Sequence, residues 1–252
     1  MQRNYHRHGP GKLFVVGIGP GNPLDRTRRA EEAIRCADTV VGYGPYLKKI
    51  ADLIDRQDVV SSGMRQEISR VEIAVNRAMQ GEKVALISSG DAGIYGMAGP
   101  SLEMIHALED RLDVEIVPGV TAASAAAAAL GAPLMLDFAV ISLSDLLVPW
   151  TEIEERLRAV APLDMAVCLY NPKSKKRTHQ IEAAANILRA YRDGSVPVGI
   201  CTAVGTAEER IVTTCLGRFL DEEIDMKSIV LVGSSRTRDL GRFMVTLRGY
   251  NI

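Results

Sequence analysis

The 252-residue chain has no excess of either charge: 30 Lys and Arg stand against 31 Asp and Glu, a formal net charge of -1. So even a balance gives no overall pull toward nucleic acid or an anionic membrane, and an acidic ligand must be met by local basic clusters. The four cysteines, Cys36, Cys168, Cys201 and Cys215, are widely spaced, with no CxxC and no nearby histidine pair to complete a zinc site. They are expected to be reduced, mostly buried thiols in a cytoplasmic protein without a protein-bound metal. No apolar stretch reaches the roughly 18 residues that cross a bilayer. The start, which carries His6 and His8, lacks the apolar segment of a secretion signal and reads as a basic tail.

Two nucleotide signatures are also missing. No glycine loop is followed by Gly-Lys-Ser or Gly-Lys-Thr, the arrangement that holds nucleotide phosphates and magnesium. The first glycine turn is spaced Gly17-x-Gly19-x-Gly21, unlike the GxGxxG that seats a pyrophosphate, and Pro20 removes a backbone donor. The second strand ends Val-Val-Gly-Tyr-Gly44, where a dinucleotide site needs an acid for the ribose. Hydride transfer and phosphoryl transfer recede. What remains is a ligand with an adenosine-like body and no phosphate chain.

Hydrophobic residues at 47% and charged residues at 24% match an ordinary globular protein long enough for one large domain or two modest ones. Continuous apolar runs alternate with helical periodicity through residue 118: strands at 12–18, 39–41, 58–61, 83–88 and 114–117, helices at 25–37, from 45, at 67–80 and at 100–109. Strands alternating with helices in this way predict a mostly parallel sheet covered on both faces, with ligands beyond the strands' carboxyl ends. Two glycine-rich turns, Phe14-Val-Val-Gly-Ile-Gly-Pro-Gly-Asn-Pro23 and Leu86-Ile-Ser-Ser-Gly-Asp-Ala-Gly-Ile-Tyr-Gly96, fall at that edge. Glycine lets a ligand approach main-chain groups that a side chain would block.

After Pro118-Gly-Val-Thr-Ala122 comes an alanine-packed helix to Leu130, closed by Gly131. The second half reads as strands at 138–143, 165–170, 197–202, 210–215 and 228–232, with helices at 151–159 and 177–192. Hairpin spacing around 201–214 predicts a sheet mixing parallel and antiparallel neighbours. The expected fold is α/β: a tail at 1–11, an N-terminal domain at 12–118 and a C-terminal mixed-sheet domain at 119–252.

Five ordered motifs resemble the tetrapyrrole methylases: Val-Gly-Ile-Gly-Pro-Gly near the start, Ser-Gly-Asp-Ala-Gly-Ile-Tyr-Gly96, Pro-Gly-Val-Thr-Ala122, Leu-Tyr-Asn-Pro172 and Val-Gly-Thr206. Within that family Ser-Gly-Met-Arg-Gln-Glu67, Asp-Phe-Ala-Val-Ile-Ser-Leu-Ser-Asp145, Tyr-Asn-Pro-Lys-Ser-Lys-Lys-Arg177 and Arg-Gly-Tyr250 resemble the branch that methylates C17 of precorrin-3B, or its cobalt form, and contracts the ring. The resemblance implies S-adenosylmethionine bound in a cleft between two α/β domains and released as S-adenosylhomocysteine, a precorrin-type substrate, and a homodimer. It implies cofactor contacts at Pro20, Ser89, Gly90, Asp91, Ile94, Thr121, Ala122, Asn171 and Gly205. Capping a turn or a helix is the alternative for Asp91.

A polycarboxylate macrocycle needs a cationic rim. Arg65, Lys173, Lys175, Lys176 and Arg177, with Arg236, Arg238 and Arg242, are expected to supply it from one edge, joined by Ser142 as a substrate contact. Ser144 and Asp145 are the candidates for orienting oxygens during contraction; capping a following helix is their alternative. Leu136 stands where the branch is expected to carry histidine, and Leu247 where proline is expected. A sibling methylase acting at another carbon, or a non-catalytic tetrapyrrole carrier, would share the cofactor motifs.

Overall fold

The computed structural model describes residues 11–108 and 112–251. Most of the expected tail, with His6 and His8, and the expected helix end at Glu109 lie outside the described residues. The chain packs as two units whose boundary falls between Thr121 and Ala122.

The first unit runs β1 (Lys12–Gly17), α1 (Arg28–Cys36), β2 (Thr39–Tyr43), α2 (Gly44–Lys48), β3 (Asp58–Ser62), α3 (Glu67–Met79), β4 (Lys83–Ser88), α4 (Ala98–Ala107) and β5 (Asp113–Val117). Its five strands are ordered β3-β2-β4-β1-β5, and every pair is parallel. Alternation along β1 shows why the run is apolar throughout. Phe14 and Val16 pack on one side with Ile34, Leu47 and Ile87, while Leu13 and Val15 pack on the other with Val71, Val75 and Leu86. Both faces are covered, so no position on the strand favours a polar residue.

Helix α1 starts later than its periodicity suggests. Asn22 and Pro23 first form a 3-10 turn at Pro23–Asp25, and Thr27 then caps α1 by accepting from the Ala30 amide at 3.1 Å. Helix α3 ends as its sequence predicts, with Gly81 at φ +96 just beyond it.

The second unit contains α5 (Ala122–Leu130), β6 (Gly131–Ala132), β7 (Phe138–Ser142), α6 (Trp150–Val160), β8 (Ala166–Tyr170), α7 (His179–Arg189), β9 (Pro197–Thr202), β10 (Arg210–Cys215), β11 (Ser228–Val232), β12 (Thr237–Asp239) and β13 (Met244–Thr246). The main sheet is ordered β10-β9-β11-β8-β7. Strands β7 and β8 are parallel, and β11 inserts antiparallel between β8 and β9. A small sheet, β12-β13-β6, went unpredicted because strands of two or three residues leave no readable period.

The alanine run on α5 serves close packing within its own unit. Ala123, Ala126 and Leu130 bury against Cys168, Cys201, Ile229 and Leu231. A Cβ on Gly199 would lie 2.2 Å from Leu130 Cδ1, so that glycine makes room for the helix. Helices α6 and α7 cover the other face through Ile153, Leu157, Ile181 and Leu188. Among the described residues no helix is long and apolar enough to cross a membrane.

Candidate active site

In the first unit the two glycine turns are joined to each other. The Ile18 amide donates to Ser88 O at 2.9 Å, and Gly19 and Gly90 then exchange amide-to-carbonyl bonds of 3.0 and 2.8 Å. The turn after β5 closes on the same point. A Cβ on Gly119 would lie 2.2 Å from Gly90 O, and one on Gly17 would lie 2.8 Å from Gly119 N. Three turns from the carboxyl ends of β1, β4 and β5 therefore meet backbone to backbone, at distances only glycine permits.

Asp91 is the one charged residue within these turns, and it organises them. Its Oδ1 accepts from the Gly93 amide at 2.8 Å and its Oδ2 from the Gly119 amide at 3.0 Å. The structure thus gives Asp91 the turn-capping geometry and brings Pro20, Ser89, Gly90 and Asp91 into one cradle. Ile94 is exposed on the second turn and Thr121 ends the third. Sequence reasoning missed Lys49, whose ammonium donates to Pro20 O at 2.8 Å and props the first turn from α2. No motif marks it; only the fold brings α2 to that loop.

Arg65 is exposed at φ +63 in the loop after β3. The unpredicted Arg70 pins this loop. Its side chain is buried, donating from Nε to Ser62 Oγ at 2.6 Å and from Nη2 to Gly63 O at 2.9 Å, with the guanidinium over Tyr43. Burial pushes the pKa of neighbouring Tyr46 up, and Tyr43 adds to the effect.

In the second unit the carboxyl ends of β7 and β8 carry a connected polar cluster. Ser142 Oγ accepts from Asn171 Nδ2 at 2.9 Å and from the Ser144 amide at 3.2 Å. Asn171 sits at φ +50, a conformation asparagine tolerates. Asp145 Oδ2 accepts from Gln180 Nε2 at 2.7 Å, and its Oδ1 lies 3.9 Å from Arg177 Nε. Gln180 is buried on α7 and was missed, since nothing in sequence ties it to Asp145. Ala122 opens α5, and Gly205, at φ +74, lies in the β9–β10 connection with its amide on Glu209 at 2.7 Å.

Two expectations about cations need correction. Arg177 turns inward: its Nη1 donates to Leu143 O at 2.8 Å and to Asn171 O, so it straps the β7 and β8 loops together. Burial lowers its pKa, and Asp145 opposes that. Lys173 is half-buried and Lys175 exposed on the adjoining turn. Arg236 and Arg238 do not share that edge. They follow β11, which runs antiparallel, and so emerge at the opposite end of the sheet. Arg242 instead stacks on Phe243. Leu247 donates its amide to Arg236 O at 3.1 Å, a bond proline could not make.

A backbone-lined cradle at the carboxyl edge of a parallel sheet, paired with a mixed-sheet unit carrying an Asn-Ser-Asp cluster, defines a class. The chain belongs to the tetrapyrrole methylases: the model for Tetrapyrrole (Corrin/Porphyrin) Methylases matches residues 12–219. It is 44% identical to the cobalt-factor III methyltransferase of Priestia megaterium over 95% of this chain, which spans 45% of that protein. It is 43% identical to the probable cobalt-factor III C(17)-methyltransferase of Salmonella typhimurium over 95% of this chain and 100% of that one. With the precorrin-3B C(17)-methyltransferase of Sinorhizobium sp the identity is 41%, covering 92% of each chain.

Among solved structures, that of the methyltransferase CobJ superposes with a TM-score of 0.88 at 37% identity, covering 94% of this chain and 100% of that one. Uroporphyrin-III C-methyl transferase from Thermus thermophilus, complexed with S-adenyl homocysteine, shares the fold at a TM-score of 0.68 and 24% identity, over 88% of this chain and 97% of that one.

Proposed function

We propose that this chain is an S-adenosylmethionine-dependent methyltransferase that methylates C17 of precorrin-3B, or of its cobalt form, and contracts the macrocycle to the precorrin-4 stage in cobalamin biosynthesis. The observation that carries this reading is the glycine cradle at the ends of β1, β4 and β5, in a chain that matches a C(17)-methyltransferase along its full length. The cradle suits the cofactor: it offers main-chain groups and one carboxylate, which hold an amino acid, a ribose and an adenine without a phosphate grip. When bound, S-adenosylmethionine supplies an electrophilic methyl on a sulfonium.

In this reading Pro20, Ser89, Gly90, Asp91, Ile94 and Thr121 of the first unit, with Ala122, Asn171 and Gly205 of the second, hold the cofactor. Their work is alignment, which can supply up to about 7–11 kcal/mol for a two-reactant step without an obligatory acid or base. Arg65, Lys173 and Lys175 meet substrate carboxylates, and Ser142 donates to a ring oxygen. Ring contraction also moves protons. Leu136 cannot move them, so Asp145, held by Gln180, and the Ser144 hydroxyl take that part. The protein acts in the cytoplasm as a homodimer in this proposal; light scattering on the eluting peak reads the dimer directly.

The test is incubation with methyl-labelled cofactor and both metal-free and cobalt-loaded substrate, reading mass gain, methyl position and ring size together. A methyl at C17 with a contracted ring is expected. Label at another carbon identifies a sibling activity instead. Tight binding with no label transfer overturns the enzymatic reading in favour of a carrier. Asp145→Asn is expected to retain cofactor binding while ring-contracted product falls about 100-fold or more, the usual worth of one positioned acid or base.

A further inference from the structure

At the far end of the second unit's sheet lies a cavity of about 510 Å³ whose walls include Asp164, Arg192, Asp193, Ser195, Ser234 and Arg238. Its place follows from strand direction. Strand β9 runs parallel to β8 through the antiparallel β11, so the start of β9 and the end of β11 sit at the amino-terminal edge of β7 and β8. Ser142 and Asn171 are at the carboxyl edge, a five-residue strand away, or roughly 16 Å. The cavity therefore belongs to neither polar cluster described above.

Arg192 is its unusual member. The residue is 7% exposed, and among the described residues only its Nη1 has a partner, Gly233 O at 2.8 Å. Nε and Nη2 are buried, with no hydrogen-bond acceptor among the described residues. Among the described residues no carboxylate is in ion-pair contact with it. Asp164 faces it from a distance, with its two oxygens already taken by the Ser235 amide at 2.8 Å and the Ser235 hydroxyl at 2.6 Å. A buried guanidinium lacking a paired charge and two of its acceptors is costly, and such groups usually answer to an ion or ligand. Burial accordingly lowers the Arg192 pKa.

A second guanidinium borders the same space. Arg238 uses Nη1 on Ser235 O and Thr237 O, at 2.7 and 3.0 Å, which fixes its fork beside the cavity. The acids of the wall are held by their own loops: Asp193 accepts from the Ser195 amide at 2.7 Å, and Asp239 from the Gly241 amide at 2.9 Å. Among the described residues each keeps its second oxygen for a hydroxyl or ammonium donor. Two forks therefore suit an oxyanion, and the acids suit donors on the same molecule. The volume falls within the range of small-molecule sites.

We propose that this cavity is a second ligand site, which takes a small metabolite bearing one phosphate or carboxylate together with hydroxyl or ammonium groups, the oxyanion being met by Arg192 and Arg238. The site is independent of the methyl-transfer reading, because none of its residues belongs to the cradle or to the Ser142–Asp145 cluster.

The test uses the full chain with inorganic phosphate and with acetate as separate probes, sodium chloride being matched for ionic strength. Calorimetry and thermal unfolding are read for the parent, Arg238→Gln and Arg192→Lys. Saturable binding of either probe beyond the chloride control is expected, and the probe that binds tells phosphate from carboxylate chemistry. Affinity should fall at least fivefold in Arg238→Gln, an exposed position that leaves the core untouched, and further in Arg192→Lys, where the charge stays and the fork is lost. No saturable binding beyond chloride, or equal affinity in parent and Arg238→Gln, overturns the proposal. Should Arg192→Lys fail to fold, Arg238→Gln decides alone.

Discussion

Single residues in the first unit decide how close three turns can come. Gly119→Ala would drive its Cβ to 2.2 Å from a backbone carbonyl that cannot swing aside. It should cost about 1–3 kcal/mol, as overpacking does, and weaken S-adenosylhomocysteine binding; urea unfolding and calorimetry check both. Gly99→Ala is the control. Nothing lies within 4 Å of its built Cβ at the start of α4, so it should leave binding unchanged and stabilise by about 0.5 kcal/mol. The cysteines divide as sharply. Burial pushes the Cys168 and Cys201 thiols up to about 12, so they remain protonated and inert, whereas Cys36 is exposed. Mass spectrometry after native alkylation should find Cys36 modified, Cys215 modified slowly, and the other two only after denaturation. The apolar runs around Cys168 and Cys201 made their burial legible in the sequence. Lys49 and Gln180 were not legible, because each acts on a residue far away in the chain.

Elements were readable where they are long and their period is strong. All five strands of the parallel sheet are legible: β1, β2 and β4 because burial on both faces leaves an apolar run, and the more exposed edge strands β3 and β5 because each follows a helix in the strand-helix alternation. Helix starts depend on local capping that periodicity does not register. Thr27 both caps α1 and donates to Pro118 O at 3.2 Å, beside the third glycine turn. Thr27→Ala should cost about 1 kcal/mol in urea unfolding, as cap removal does. After the 3-10 turn, Arg26, its side chain 2% exposed, forms a two-pronged pair with Asp52, both bonds at 2.9 Å. Hydrogen bonds from Arg26 hold the Asp52 carboxyl below its ordinary range. A depressed folded pKa means the pair stabilises above the unfolded carboxylate pKa, and that support is lost as pH falls through the folded value. Asp52→Asn should therefore be less stable than the parent at pH 7, and the gap should narrow as pH falls below the unfolded carboxylate pKa and through the lower folded one. Denaturation across an acid pH series measures it; the gap should be modest, because Asp52 is largely solvent-exposed.

For the whole molecule, ligand binding and folding are linked. Saturating S-adenosylhomocysteine at 100 times its dissociation constant should stabilise the native state by about 2.7 kcal/mol, visible as a concentration-dependent rise in melting temperature. Gly119→Ala should blunt that rise. The largest misreading also belongs to this scale. Arg236 and Arg238 look in sequence like further members of one cationic rim, because a mixed sheet is legible there but not which of its strands runs antiparallel. Strand direction is a property of the assembled sheet, and β11 runs the other way. The sequence by itself determined the alternating α/β order, the parallel first sheet, the family, and the turns where glycine is obligatory. All of these arise from local periodicity or from steric limits on single residues. Only the tertiary structure decided that Arg177 is a strap, that Asp91 binds two amides, and that Arg192 is buried without its acceptors. Those outcomes depend on which distant groups share a space, and distance along a chain carries no measure of that.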